Sequence, residues 1–361
     1  MNIFKKKFKN KKIIITGHTG FKGSWLTLWF TILGAKVLGI SNQTVTKPSN
    51  FEIQSLKKKI IDKKVDIKNL TKVKNIFIKY QPDYVFHLAA QSLVRESFRN
   101  PINTFMSNSI GTLNVLESIR NLKKKCTVVI ITSDKSYKNI EVKRGYKEND
   151  IIGGIDPYSA SKGCAEIIIQ SYFKSFLKKN KRIILAVARA GNVIGGGDWS
   201  KDRLVPDCIK SWSKNKRVLL RNPYSTRPWQ HVLEALGGYL TLAIRLESNK
   251  KLNGQVFNIG PKGKNISVID LVKIMKKYWK NVRWSLSDKK SKTKLHLESK
   301  LLKLNCSKAK KILKWQSVLR TEQTAKKVIV WYKTFFSKRK SIEKLSIKQI
   351  LDYQELLLKK I

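Results

Sequence analysis

Two short runs hold side chains that could serve a redox and elimination reaction: Thr132-Ser133-Asp134-Lys135 and Asp156-Pro157-Tyr158-Ser159-Ala160-Ser161-Lys162. Tyr158 and Lys162 are four residues apart in a stretch that reads as a helix opened by Pro157, so their side chains share one face. An ammonium held beside a phenol favours the phenolate and brings a group of pKa ~10 toward the range of a general base. Together the runs offer acid, base and hydride-transfer chemistry.

The elements that must position them begin near the N-terminus. After a lysine-rich leader, the apolar run Lys12-Ile13-Ile14-Ile15-Thr16 ends in Gly17-His18-Thr19-Gly20-Phe21-Lys22-Gly23, and an apolar helix follows from Ser24 to Leu33. Strand, Gly-x-x-Gly-x-x-Gly turn and helix is the context in which backbone N–H groups approach a pyrophosphate at the positive helix end. A second strand, Lys36 to Ile40, follows at the right distance. Then come Tyr84 to His87 with Leu88-Ala89-Ala90, a helix from Pro101 to Asn121, a strand from Thr127 to Thr132, the Tyr158 helix and a strand from Ile183 to Arg189. This alternation predicts an α/β fold, a Rossmann-type doubly wound parallel sheet with a smaller C-terminal substrate-binding lobe. Ligands of such sheets sit beyond the carboxyl ends of the strands, where the Gly17 loop, Ala89-Ala90 and Ser133-Asp134-Lys135 are expected to converge.

These residues resemble the extended short-chain dehydrogenase/reductases, in their nucleotide-sugar dehydratase branch, and within it the CDP-glucose 4,6-dehydratases. The resemblance runs from about residue 10 to about residue 320 and is carried by Thr16 to Trp25, His87 to Gln91, Thr132 to Lys135, Gly153 to Tyr158, Ala188 to Trp199 and Arg227 to Glu234. The glycine loop and Tyr-x-x-x-Lys are common to the whole family. The Asp134-Lys135 pair, Gly195-Gly196-Gly197-Asp198-Trp199 and Arg227 to His231 are specific to the branch.

The resemblance implies oxidation of the hexose at C4, loss of water across C5 and C6, and hydride return to C6. Tyr158 then takes the C4 hydroxyl proton, Lys162 lowers the Tyr158 pKa and holds the nicotinamide ribose, and Ser133 hydrogen-bonds the C4 oxygen. Asp134 protonates the departing C6 hydroxyl and Lys135 removes the C5 proton. Burial raises a carboxyl and lowers a lysine, so the adjacent pair can supply an acid and a base near neutrality. The dTDP-glucose dehydratases carry glutamate at the position of Lys135, which makes its role as base the loosest of these assignments.

The resemblance also implies NAD as cofactor, with Gly17, Thr19, Gly20, Phe21, Lys22, Gly23, Asp66, Ile67, Leu88, Ala89, Ala90, Tyr158 and Lys162 as its site. Gly39-Ile40-Ser41-Asn42-Gln43 carries neither the acidic residue that selects NAD nor the arginine that selects NADP. Asn192, Arg203, Arg221, Arg227 and His231 form the expected substrate site, since arginine forks suit a diphosphate and a pyrimidine needs a flat apolar slot. His231 can equally be a packing residue at a helix start. The implied substrate is CDP-glucose, and the product is a precursor of dideoxy sugars in lipopolysaccharide O-antigens and similar surface polysaccharides. The family also implies a homodimer through the helices around 101–121 and 158–178.

The expected division is residues 1–190 as the NAD-binding domain, with 230–260 returning to it. Residues 191–229 and 261–361 form the sugar-nucleotide lobe and C-terminal helices, with Cys306 to Trp315 as a closing helix. Beyond Phe336 the chain is lysine-rich, with an apolar stripe at Leu345, Ile347, Ile350 and Leu351 whose partner the sequence does not name.

Composition bounds the rest. The 361 residues allow one such domain pair. Four cysteines without metal-like spacing, apolar runs shorter than ~18 residues and a leader without an apolar signal core predict a reduced, cytoplasmic protein with no metal and no membrane contact. The 75 basic and 24 acidic residues leave +51, which raises a rival class, a polyanion binder on the same scaffold. Lysine is spread throughout and arginine is sparse, so a nucleic-acid partner is not expected. A 4-epimerase, which shares the glycine loop and Tyr-Lys pair but has no use for Asp134-Lys135, is the alternative enzyme. A GDP-mannose 4,6-dehydratase is a third reading, disfavoured by the Arg227 to His231 region.

Overall fold

The computed structural model describes residues 2–263, 265–286 and 301–361. Seven parallel strands form the central sheet: β1 (Lys12–Thr16), β2 (Lys36–Ser41), β3 (Ile61–Lys64), β4 (Tyr84–His87), β5 (Cys126–Ser133), β6 (Ile183–Ala190) and β7 (Val256–Ile259). Their order is β7-β6-β5-β4-β1-β2-β3, so the chain reverses direction between β1 and β4. That is the doubly wound, Rossmann-type arrangement, whose ligand crevice opens at the reversal.

The inner strands are continuous apolar runs because both faces of the sheet are covered. Alternate residues sort to opposite faces: Ile13 and Ile15 join one core, Ile14 the other. The first core includes α1 (Phe21–Ile32), α6 (Val232–Ser248) and the C-terminal helices α8 (Thr321–Ser337) and α9 (Ile342–Leu358). The second includes α2 (Leu70–Tyr80), α3 (Gly111–Arg120) and part of α4 (Pro157–Tyr172). The helix expected from Pro101 to Asn121 is a continuous path of Pro101–Phe105, a π-helical turn Met106–Ile110 and α3.

Residues 191–229 leave the end of β6 and build small sheets with later segments. Val193–Ile194 pairs with Gln230–His231, Thr226–Arg227 with Ile266–Ser267, and Val218–Leu220 with Trp284–Leu286. α5 (Leu204–Trp212) and α7 (Val268–Lys276) flank them. Residues 264 and 287–300, within the segment expected to close over the substrate, lie outside the described residues.

Three terminal features differ from the sequence reading. The lysine-rich leader forms a helix, Ile3–Phe8, whose Phe4 and Phe8 pack edge-on against Trp29 and Phe30. The helix expected at Cys306 to Trp315 is short; its π-helical turn Ala309–Leu313 ends at Lys314, which has φ 57°. The partner of the tail is α1: Trp29 Nε1 donates to Gln354 Oε1 at 3.0 Å and its ring meets Tyr353 at 5.8 Å. The buried face of α9 includes Ile342, Ile350, Tyr353 and Leu357, while Leu351 is exposed.

Candidate active site

A cleft of about 370 Å³ opens at the carboxyl ends of β1, β5 and β6. It gathers Phe21 and Lys22 from α1, Ser133, Asp134 and Lys135 from the end of β5, and Tyr158 from the first turn of α4. From the segments after β6 it takes Asn192, Arg203, Arg221 and Arg227. Nine of the residues singled out in the sequence besides Phe21 therefore meet in one place.

Local chemistry explains their placement. Pro157 opens α4, and the Asp156 carboxylate caps it by accepting from Ser159 N at 2.9 Å. Ser133 ends β5, and its Oγ accepts from Lys135 N at 3.2 Å, turning the chain so that Asp134 and Lys135 follow at the strand end. Ser133 Oγ also donates to Asp134 Oδ1 at 3.0 Å. The other carboxyl oxygen, Asp134 Oδ2, is buried and has no hydrogen-bond partner among the described residues. Burial raises the Asp134 pKa above the usual carboxylate range, against Lys135, Ser133 and Arg227, which lower it. Burial thus favours the neutral form of the Asp134 carboxyl.

Tyr158 departs from expectation. Burial pushes its phenol up to about 12, opposed by a hydrogen bond with Ser133 and the positive charge of Arg203. The expected lowering of Tyr158 by Lys162 does not appear. Lys162 is itself buried and lowered to about 8, chiefly by desolvation, with Glu166 opposing. Lys22 is brought down to about 7 by burial, with Lys162 and Arg203 as further causes.

The expected cofactor residues line the neighbouring strand ends. Gly17 has φ 76°, and a Cβ there would lie 2.7 Å from Ala89 N; one on Gly23 would lie 2.0 Å from Gly17 O. The loop is therefore drawn tightly under the start of α1, whose N-cap Gly20 has no side chain to satisfy the free N–H groups. Thr19 Oγ1 donates to Gln43 O at 2.7 Å. Leu88 N and Ala89 N donate to Thr16 O and Thr16 Oγ1, which fixes the Leu88-Ala89-Ala90 turn against β1. Beyond β3, Asp66 accepts from Lys68 N and from Asn42 Nδ2, and Ile67 is buried. The glycine cradle and the helix-start N–H groups, which no N-cap side chain satisfies, fit a dinucleotide.

His231 does not join the substrate cleft. It is buried as the N-cap of α6, its Nδ1 accepting from Leu233 N at 3.2 Å and its ring edge-on to Trp25 at 6.3 Å. Burial holds it neutral, its pKa down to about 3. The packing reading, not the substrate assignment, describes this residue.

The cleft also holds residues that sequence reasoning missed. Asp202 accepts from Arg95 at 2.9 Å and from Arg221 at 3.0 Å, joining the short helix Val94–Arg99 to the segment after β6. Arg203 donates to Asp198 Oδ2 and to Ser92 Oγ, both at 3.0 Å. No sequence spacing signals either pairing, because the partners of Asp202 and Arg203 across the cleft are more than a hundred residues away.

Comparison with known proteins adds the lineage. A family model described as GDP-mannose 4,6 dehydratase matches residues 14–328. The chain belongs to that family. Among curated members of this dehydratase family and its kin, the CDP-glucose 4,6-dehydratase of Salmonella typhimurium (strain LT2) is 41% identical over 334 residues, which cover 91% of this chain and 92% of that protein. Two solved structures share the fold. A dTDP-glucose 4,6-dehydratase from Streptomyces venezuelae, with NAD and TYD bound, gives a TM-score of 0.75 at 17% identity, covering 92% of this chain and 99% of that one. A UDP-glucose 4-epimerase from Thermotoga maritima with UDP-glucose gives 0.75 at 23%, covering 90% and 99%.

Proposed function

We propose that this enzyme is a CDP-glucose 4,6-dehydratase, a hydro-lyase that converts CDP-D-glucose to CDP-4-dehydro-6-deoxy-D-glucose and water with NAD held at the glycine loop. Family membership alone does not choose the nucleotide. The 41% identity to a CDP-glucose enzyme over nearly the whole chain supports cytidine. The observation that carries the reaction type is Asp134, a buried carboxyl that desolvation pushes toward its neutral form and whose Oδ2 has no hydrogen-bond partner among the described residues, in a cleft shared with Ser133, Lys135 and Tyr158.

NAD, when bound, supplies reversible hydride acceptance; the chain does the rest. Tyr158 removes the C4 hydroxyl proton, and Ser133, in the same cleft, holds the C4 oxygen. A cation within ~4–6 Å lowers such a phenol; Arg203 acts on Tyr158 in that sense, and Lys162 follows one turn along α4. The C4 ketone acidifies C5, Lys135 takes that proton, and Asp134 gives its own to the leaving C6 hydroxyl. Arg203, Arg221 and Arg227 suit the diphosphate and Asn192 the sugar. A 4-epimerase would leave Asp134 without work, which favours the dehydratase.

In the same reading, residues 1–190 with 230–260 form the cofactor domain, while 191–229 and 261–361 cover the sugar nucleotide. Exposed Ile102, Met106, Ile167 and Phe176 on the two long helical paths support a homodimer through them. No helix among the described residues is long and apolar enough to cross a membrane. A cytoplasmic enzyme feeding surface-polysaccharide synthesis, without a nucleic-acid partner, fits these features.

The test is incubation with NAD in heavy water and CDP-glucose, dTDP-glucose, UDP-glucose or GDP-mannose, followed by mass spectrometry. Loss of water with one deuteron gained, from CDP-glucose alone, is expected. An isomer of unchanged composition with inverted C4 would make the protein an epimerase.

A further inference from the structure

Beside the cleft, whose lining includes Thr132, α4 and the ends of β5 and β6 meet at one carboxylate. Thr132 and Arg189 are register partners across β5 and β6. Glu166, fully buried on α4, reaches both. Thr132 Oγ1 donates to Glu166 Oε1 at 2.5 Å, while Arg189 Nε and Nη2 donate to Oε1 and Oε2 at 2.8 and 3.0 Å. The Arg189 guanidinium lies 4.6 Å from the centre of the Tyr137 ring, and its Nη1 donates to Glu148 O at 3.1 Å.

The three elements joined here carry the three parts of the proposed chemistry. Glu166 follows Lys162 by one helical turn and Tyr158 by two. Thr132 directly precedes Ser133 and Asp134, and Arg189 lies three residues before Asn192. A forked guanidinium–carboxylate contact is directional, whereas an apolar contact lets a helix slide on a sheet. A buried ion pair adds little net stability over an apolar filling of the same volume. Its directional contacts where α4 meets β5 and β6 point to geometry rather than stability.

We propose that Glu166 is a positioning residue: by binding Thr132 and Arg189 together it fixes the spacing between Tyr158 and Lys162 on α4 and Ser133, Asp134 and Lys135 at the end of β5. Oxidation at C4 and elimination across C5 and C6 then act on one sugar that does not move between them. This rests on the dehydratase reading above. Loosening the joint leaves each group present but out of register, so that C5 exchanges its proton while C6 waits for Asp134.

The experiment compares wild type, Thr132→Val, Thr132→Ser and Glu166→Gln with CDP-glucose and NAD in heavy water, reading both product and recovered substrate by mass spectrometry. Thr132→Val removes one hydrogen bond, keeps the shape and leaves the Arg189 pair intact. Misplaced reacting groups cost rate steeply, so we expect it to lose water roughly tenfold more slowly or worse at unchanged KM. Its recovered CDP-glucose should carry deuterium at C5, and Thr132→Ser should restore wild-type behaviour. Glu166→Gln should show the same leak more strongly. Thr132→Val that turns over at the wild-type rate, or slowly with no deuterium in recovered substrate, overturns the proposal. Wild-type protein that leaves CDP-glucose intact overturns the dehydratase reading and this proposal with it.

Discussion

The two oxygens of Asp134 live in different surroundings: Oδ1 accepts from Ser133, while Oδ2 is buried without a hydrogen-bond partner among the described residues. Desolvation favours the neutral acid, the form that can protonate a leaving hydroxyl. Asparagine in its place keeps the shape and neutrality but has no proton to give. Asp134→Asn should therefore slow water loss by roughly 10²–10⁴-fold, the range of general-acid catalysis, while C5 exchange with solvent persists. Mass spectrometry of sugar nucleotide recovered from heavy water separates the two events; loss of both together would assign Asp134 to an earlier step. Tyr158 illustrates the limit of reading a residue pair from spacing. Four-residue spacing places Lys162 on the same helix face, yet burial of the phenol outweighs everything around it.

At the scale of elements, α6 is the hub that ties the sheet to the C-terminus. Glu234 in its first turn accepts from Val318 N at 2.8 Å, from Leu319 N at 2.5 Å and from Tyr353 Oη at 2.8 Å, so one carboxyl fastens α9 and the segment before α8. Burial raises its pKa from 4.5 to about 7, against those hydrogen bonds. Between these values the folded protein holds a proton that the unfolded chain has released. The Glu234 contribution to stability is then full below about pH 4.5 and falls as pH rises to about 7, by up to about 3 kcal/mol. Denaturant unfolding of wild type and Glu234→Gln across that range checks it. The wild-type curve should fall relative to the variant as pH rises; parallel curves would remove Glu234 as the cause.

The whole molecule carries a formal charge of +51, spread over a surface on which most lysines make no ion pair among the described residues. A sugar nucleotide with two phosphate charges is drawn to such a surface from a distance. Raising ionic strength from about 0.01 M to about 1 M shrinks the screening length from ~30 to ~3 Å, and kcat/KM for the sugar nucleotide should fall over that range with kcat little changed. Steady-state kinetics in sodium chloride test this, and a flat profile would confine the attraction to the cleft arginines. The strand–helix alternation, the glycine turn and the Tyr158, Lys162 and Asp134 set were legible in the chain alone, because backbone periodicity and short-range spacing are local properties. The folded molecule was needed to show that His231 caps a helix, that the tail helix closes on Trp29, and that Asp202 bridges Arg95 to Arg221. It alone showed Glu166 gathering Thr132 and Arg189. Apart from the His231 cap, which is local, those contacts join residues distant in the chain, and their energies depend on burial that no local spacing encodes.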